Sequence, residues 1–113
     1  MKAWVIADYQ APYTDPMAGQ AGENVVIDGT RKTDCAGWVW GVNVSGQGGW
    51  VPEAYLEWEG DRARLCCDYD AIELTVRVGE CLTVHKTESG FYWVTHEDGR
   101  HGWVPATQVA MEA

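Results

Sequence analysis

The segment Gly37-Trp38-Val39-Trp40-Gly41-Val42 can be laid on Gly90-Phe91-Tyr92-Trp93-Val94-Thr95 at an offset of 53. At the same offset, Gly49-Trp50-Val51-Pro52 falls on Gly102-Trp103-Val104-Pro105 without a gap. Gly22-Glu23 falls on Gly79-Glu80 at an offset of 57, and Asp8-Tyr9 on Asp68-Tyr69 at 60. The landmarks keep their order while the spacers between them shorten, as expected of two copies of one fold that differ in loop length. A 113-residue chain divided this way holds two small cores rather than one large one. The boundary falls in the polar stretch Glu57-Trp58-Glu59-Gly60-Asp61-Arg62. The expected domains are therefore 1–58 and 61–113.

Each copy reads as all-β. The runs Ala3–Ala7, Asn24–Ile27, Gly37–Val44 and Gly49–Val51 are short and rich in Val and aromatics. So are Arg64–Cys67, Glu80–His85, Phe91–His96 and Gly102–Val104 in the second copy, and turn residues bound them all. Val44-Ser45-Gly46 and Glu97-Asp98-Gly99 suit three-residue hairpin loops whose last residue needs a positive φ. Pairing outward from those loops sets Trp40 against Trp50 and Trp38 against Pro52. In the second copy it sets Trp93 against Trp103 and Phe91 against Pro105. Shared strand parity places each aromatic–proline set on one face, with Val39 and Val51 facing the core.

Charge and composition narrow the function. Lys and Arg number 8 against 17 Asp and Glu, a net charge of −9, which disfavours nucleic-acid and anionic-membrane partners. No apolar run has the length of a membrane helix. The start MKAWVIADYQ lacks the apolar stretch of a secretory signal, so a cytoplasmic location is expected. The four cysteines, Cys35, Cys66, Cys67 and Cys81, form no C-x-x-C and stand at no zinc-finger spacing from His85, His96 or His101. They read as reduced, mostly buried thiols, with a zinc site or redox pair as the alternative. Seven tryptophans are more than two thin cores can hide, so some rings should be partly exposed, either padding thin barrels or lining a recognition surface.

In order and in duplicate, these motifs resemble two Src-homology-3 (SH3) domains in tandem. The opening A-L-Y-D-Y motif is matched by Val5-Ile6-Ala7-Asp8-Tyr9 and Leu65-Cys66-Cys67-Asp68-Tyr69. The segment after the long RT loop is matched closely by Glu73-Leu74-Thr75-Val76-Arg77-Val78-Gly79-Glu80 and weakly by Pro16 to Glu23. The closing motif is matched by Gly49-Trp50-Val51-Pro52-Glu53-Ala54-Tyr55-Leu56 and by Gly102 to Val109. The G-W-V-P spelling looks more like bacterial members of the family. The resemblance implies an all-β chain of two tandem small SH3-like barrels, about five short strands each.

It also implies a non-catalytic module that binds a protein or peptide ligand in an aromatic groove. A proline-containing segment is already extended, so ordering it costs little entropy, and acidic residues beside the groove pair with a basic ligand residue. Carried over residue by residue, the groove of the first copy is Tyr9, Trp38, Pro52 and Tyr55, with Trp50 at its edge and Asp15 as the acid. Ala7 stands where a family tyrosine would be, and Tyr13 is the residue that could compensate. In the second copy Tyr69, Phe91 and Pro105 match, with Trp103 beside them, while Cys67 and Gln108 replace tyrosines and the RT loop is short. The first copy is therefore the expected ligand site and the second its structural partner. Trp58 reads as a wedge between domains, Trp4 as packing, and Glu23 and Glu80 as turn-closing hydrogen-bond acceptors.

No phosphate-binding glycine loop, dinucleotide fingerprint or H-E-x-x-H is present. The expectation is no enzyme, no cofactor and no metal, with a Cys81–His85 pair as the weak competing constellation. Three further readings compete with peptide binding. The two domains could pack on each other or in a complex without binding free peptide. A cage of aromatic and acidic residues could take a cationic small ligand. Cell-wall peptide binding is known for bacterial relatives of the fold.

Overall fold

A computed structural model describes residues 1–31, 36–60 and 62–112. Cys35 and Asp61 lie outside the described residues. Among the described residues twelve strands are formed. They are β1 (Lys2–Val5), β2 (Ala18–Gly19), β3 (Asn24–Asp28), β4 (Trp38–Val42), β5 (Gly48–Pro52) and β6 (Leu56–Glu59). They continue as β7 (Arg62–Leu65), β8 (Tyr69–Asp70), β9 (Cys81–Glu88), β10 (Phe91–His96), β11 (His101–Pro105) and β12 (Val109–Met111). Single 3-10 turns at Glu53–Tyr55 and Ala106–Gln108 follow the two G-W-V-P segments. The all-β expectation holds. Among the described residues no helix is long and apolar enough to cross a membrane.

The hairpin registers also hold. Trp40 pairs with Trp50 and Trp38 with Pro52, while Trp93 pairs with Trp103 and Phe91 with Pro105. The glycines that end the two loops carry the required positive φ, +85° at Gly46 and +97° at Gly99. Asn43 holds the first loop: its side chain receives the amides of Ser45 and Gln47 and donates to the carbonyl of Ala18.

The division at residues 58–61 does not coincide with the compact units. One unit is Met1–Thr14 together with Glu73–Ala113, and the other is Asp15–Ile72. We call these the split unit and the contiguous unit. The split unit carries a five-stranded sheet in the order β11-β10-β9-β1-β12, and the contiguous unit one in the order β5-β4-β3-β7-β6. In each case the first strand of one repeat sits in the sheet of the other. β1 pairs with β9 and β12, and β7 pairs with β3 and β6.

The cause is the short link at the expected domain boundary. Glu59 pairs with Arg62, so only Gly60 and Asp61 separate β6 from β7. A two-residue connection turns a strand back antiparallel onto its neighbour. β7 is thereby held beside β6, the position that β1 would fill if the first repeat closed on itself. β1 takes the equivalent place between β9 and β12. The hydrogen bonds match strand for strand. The Leu65 amide bonds the Glu23 carbonyl as the Val5 amide bonds that of Glu80, and Cys66 bonds Tyr55 as Ile6 bonds Gln108.

The core of the split unit follows from this exchange. Ala3 and Val5 point inward from β1 and are buried among Leu74, Val76, Leu82, Val94 and Val104, all from the second repeat. In the contiguous unit Leu65 and Ala63 are buried with Val25, Val51 and Met17, from the first repeat. Trp4, expected to pack, instead points outward and is 45% exposed, because strand alternation puts it opposite Ala3 and Val5. Trp58 is in β6 opposite Ala63 and is 49% exposed.

Candidate binding surface

The strand exchange redistributes the expected groove residues. Asp15, Trp38, Trp50, Pro52 and Tyr55 belong to the contiguous unit, but Tyr9 and Tyr13 belong to the split unit. The tyrosine that joins the first repeat's aromatics is Tyr69. Its ring meets Tyr55 edge-on, with centroids 5.4 Å apart, and its hydroxyl donates to the Trp50 carbonyl at 2.6 Å. Trp40 meets Trp50 edge-on at 5.1 Å. Trp38 and Tyr69 retain only 7% and 6% of their surface, and Pro52 is fully buried. Trp50 and Tyr55 are half-buried, and Asp15 and Glu53 are exposed. Of the residues expected in the first groove, Trp38 and Pro52 are thus closed, as is Tyr69, which stands beside them in place of Tyr9.

Beside this cluster the contiguous unit has an open hollow of about 240 Å³ between β3 and β4, with Asp28, Trp38 and Trp40 in its lining. The guanidinium of Arg31 stands 4.1 Å from the Trp40 ring centroid. Hydrogen bonds from the Thr30 hydroxyl and amide, with Arg31 nearby, hold the Asp28 carboxyl below its ordinary range.

In the split unit the equivalent surface is more accessible. Tyr9, Phe91, Tyr92, Pro105 and Gln108 are all half-buried. Tyr9 is fixed by a mutual backbone bridge to Val76, at 2.9 Å in each direction. Its hydroxyl donates to Glu73 Oε1. Glu73 bridges the backbone of Trp103, and the amide of Leu74 donates to the Trp103 carbonyl at 3.0 Å. Phe91 lies across the ladder from Pro105, and the 3-10 turn after Pro105 is tied back by the Ala106 amide to Gly90. Gln108, standing where the family would have a tyrosine, donates to the carbonyl of Asp8 at 3.1 Å. Trp103, an expected residue of this groove, is only 2% exposed. It packs edge-on to Trp93 at 5.3 Å.

The electrostatics of this surface centre on Glu73. Burial raises its carboxyl above the ordinary carboxylate value, and the bond from Tyr9 opposes part of that rise. Such a group gains from a cation placed beside it, because the cation replaces the solvation that burial removed. Sequence reasoning did not single out Glu73: the close motif match at Glu73-Leu74 marks the repeat and says nothing of a buried acid beside Tyr9.

The remaining polar cluster is structural. His96 is buried, with Nε2 2.8 Å from Glu80 Oε2 and Nδ1 3.1 Å from Asp98 Oδ1. Glu80 closes its turn as expected, accepting the Arg77 amide at 2.5 Å. That bond, and then the contact with His96, lowers its carboxyl below the usual range. Cys66, Cys67 and Cys81 are in no disulfide; Cys66 is exposed and the other two half-buried, so these three thiols are not the buried ones expected. Among the described residues no three His, Cys, Asp or Glu stand together in a group that could hold a metal ion.

A family model described as a variant SH3 domain matches the chain twice, over residues 2–59 and 62–112. No curated protein and no solved structure matches it.

Proposed function

Because the chain belongs to the variant SH3 domain family, whose members are generally protein-interaction modules, we propose that it is a non-catalytic module binding an extended, proline-containing segment of a protein partner. We place the ligand on the split unit, across Tyr9, Phe91 and Pro105, with Glu73 receiving a Lys or Arg of the ligand. The observation that carries this reading is the contrast in exposure. Tyr9, Phe91 and Pro105 are half-exposed, whereas their counterparts Tyr69, Trp38 and Pro52 are buried. A polyproline II ligand needs open ring faces to lie against.

The same burial favours a structural role for the aromatic cluster of the contiguous unit. This reverses the division of labour expected from the motifs, in which the first copy bound and the second supported. The surface is shallow, so an affinity of micromolar or weaker is expected, no more than about 8 kcal/mol of binding free energy. Binding should tighten as pH rises through the elevated Glu73 value, because only the ionised carboxylate attracts the ligand cation.

The test is calorimetric titration of the intact chain with a short proline-rich peptide carrying one Arg. Phe91→Ala should weaken binding at least tenfold, and Trp50→Ala should leave it unchanged. Glu73→Gln should weaken the Arg peptide and spare its neutral analogue. Loss of binding in Trp50→Ala with none in Phe91→Ala would transfer the site to the contiguous unit.

A further inference from the structure

The binding surface of the split unit is made from two chain segments that are far apart in sequence. Tyr9 comes with Met1–Thr14, while Glu73, Phe91 and Pro105 come with the last segment of the chain. Between them lies the whole contiguous unit, Asp15–Ile72, which already has its own sheet. Every strand that β1 pairs with is in the last segment: Ala3 faces Leu82 on one side and Met111 on the other. Further along, Tyr9 bonds Val76, the Ala11 amide bonds Thr75 Oγ1, and Gln108 bonds Asp8. The opening segment is therefore a donor strand, and the last segment is its acceptor. Nothing in the ladder depends on both belonging to the same molecule.

The crossover itself favours an extended path. Ala11-Pro12-Tyr13-Thr14-Asp15-Pro16 carries two prolines in six residues, and each holds itself and the residue before it in extended or turn conformations. The β6–β7 hairpin keeps β7 in the contiguous unit, so β7 is not available to take β1's place. An acceptor that has released its own β1 has one complementary strand to recruit, the β1 of another copy.

We propose that Met1–Thr14 is an exchangeable strand and that a second copy of this chain can supply it. The product is a reciprocal dimer in which each split unit receives its Tyr9 from the partner copy. Exchange of identical elements is an inexpensive route to dimers, because the ladder that opens within each monomer is rebuilt between the two copies. Within one chain a linker imposes an effective concentration of about a millimolar, so exchange competes when refolding takes place near that concentration. The part of the proposal that concerns ligand binding rests on the site reading given above.

Two experiments on the full chain, under reducing conditions, decide it. In the first, chains labelled with ¹³C and unlabelled chains are unfolded together and refolded at about millimolar concentration. The fraction with the mass of two 12.5 kDa chains is then isolated. Isotope-filtered NOEs between Trp4 of one copy and Ala110 of the other are expected, because these residues are opposite each other in the ladder. Refolding to monomer at every concentration, or a dimer in which the Trp4–Ala110 NOE stays within one copy, overturns the proposal.

In the second, Tyr9→Ala and Phe91→Ala chains are refolded together. A mixed dimer contains one split unit with both native residues. It should bind one Arg-containing proline-rich peptide with the affinity of the unsubstituted monomer, while each variant alone loses binding. A mixed dimer that stays silent while the unsubstituted dimer binds also overturns the exchange. An unsubstituted monomer that takes up no peptide counts against the site reading instead, and the NOE experiment then decides the exchange by itself.

Discussion

Leu65→Ala separates the exchanged arrangement from two self-contained repeats. Leu65 begins the second repeat in sequence, yet its side chain is 1% exposed in the contiguous unit, on a strand paired to β6. The substitution removes three buried carbons at about 0.8 kcal/mol each, and incomplete collapse of the cavity adds to this. A loss of about 3 kcal/mol is expected, within the roughly 2–5 kcal/mol seen for buried Leu→Ala changes. At about 1.4 kcal/mol per tenfold, that corresponds to roughly two decades in the opening equilibrium. Native-state amide hydrogen exchange reads it strand by strand. The amides of β4 and β5, from the first repeat, should exchange about a hundredfold faster, and those of β10 and β11 should change far less. Val5→Ala should give the mirror result, a smaller loss centred on β10 and β11. If Leu65→Ala accelerates β10 and β11 and spares β4 and β5, the strand assignment is wrong.

Other consequences can be checked in parallel. A Cβ on Gly41 would lie 2.6 Å from Val25 Cγ1 and 3.3 Å from Val51 Cγ2, so Gly41→Ala should overpack the contiguous unit and destabilise it by about 1–3 kcal/mol in denaturant titrations. Glu73 has a raised folded-state value, so its contribution to stability is complete below the unfolded value and is lost as pH rises through the folded one. Melting temperatures of Glu73→Gln should therefore gain on the unsubstituted chain as pH climbs past that range. Glu80 has the opposite sign. Its lowered value gives stability that is present above the unfolded value and is lost as pH falls through the folded one, so Glu80→Gln should be most harmful near neutral pH and nearly harmless in acid.

Local rules in the sequence carried most of the fold. The loop glycines Gly46 and Gly99 need positive φ, and that requirement alone fixes the hairpin register and with it the four cross-strand pairs that hold the aromatics. The partner of β1 was not legible, because a repeat records which strand type a segment forms and not which copy of the sheet it joins. The information lay in the Glu59-Gly60-Asp61-Arg62 link, whose polar residues and glycine suit a linker and a hairpin equally. The grouping of the candidate site residues turns on the same place. Motif correspondence groups Tyr9 with Trp38 because they share a repeat, while the folded chain groups Tyr9 with Phe91 and Tyr69 with Trp38. Exposure was equally hidden. Trp103 and Phe91 have the same strand parity, yet Trp103 is buried and Phe91 half-open, a difference set by tertiary neighbours.

A two-dimensional amide NMR titration of the intact chain with an Arg-containing proline-rich peptide tests the account most directly. The account predicts shifts centred on Tyr9, Glu73, Phe91, Ala106 and Gln108, with Trp38 and Tyr69 nearly still. Shifts centred on Asp15, Trp50 and Tyr55, or none when the peptide is in large excess, would contradict it.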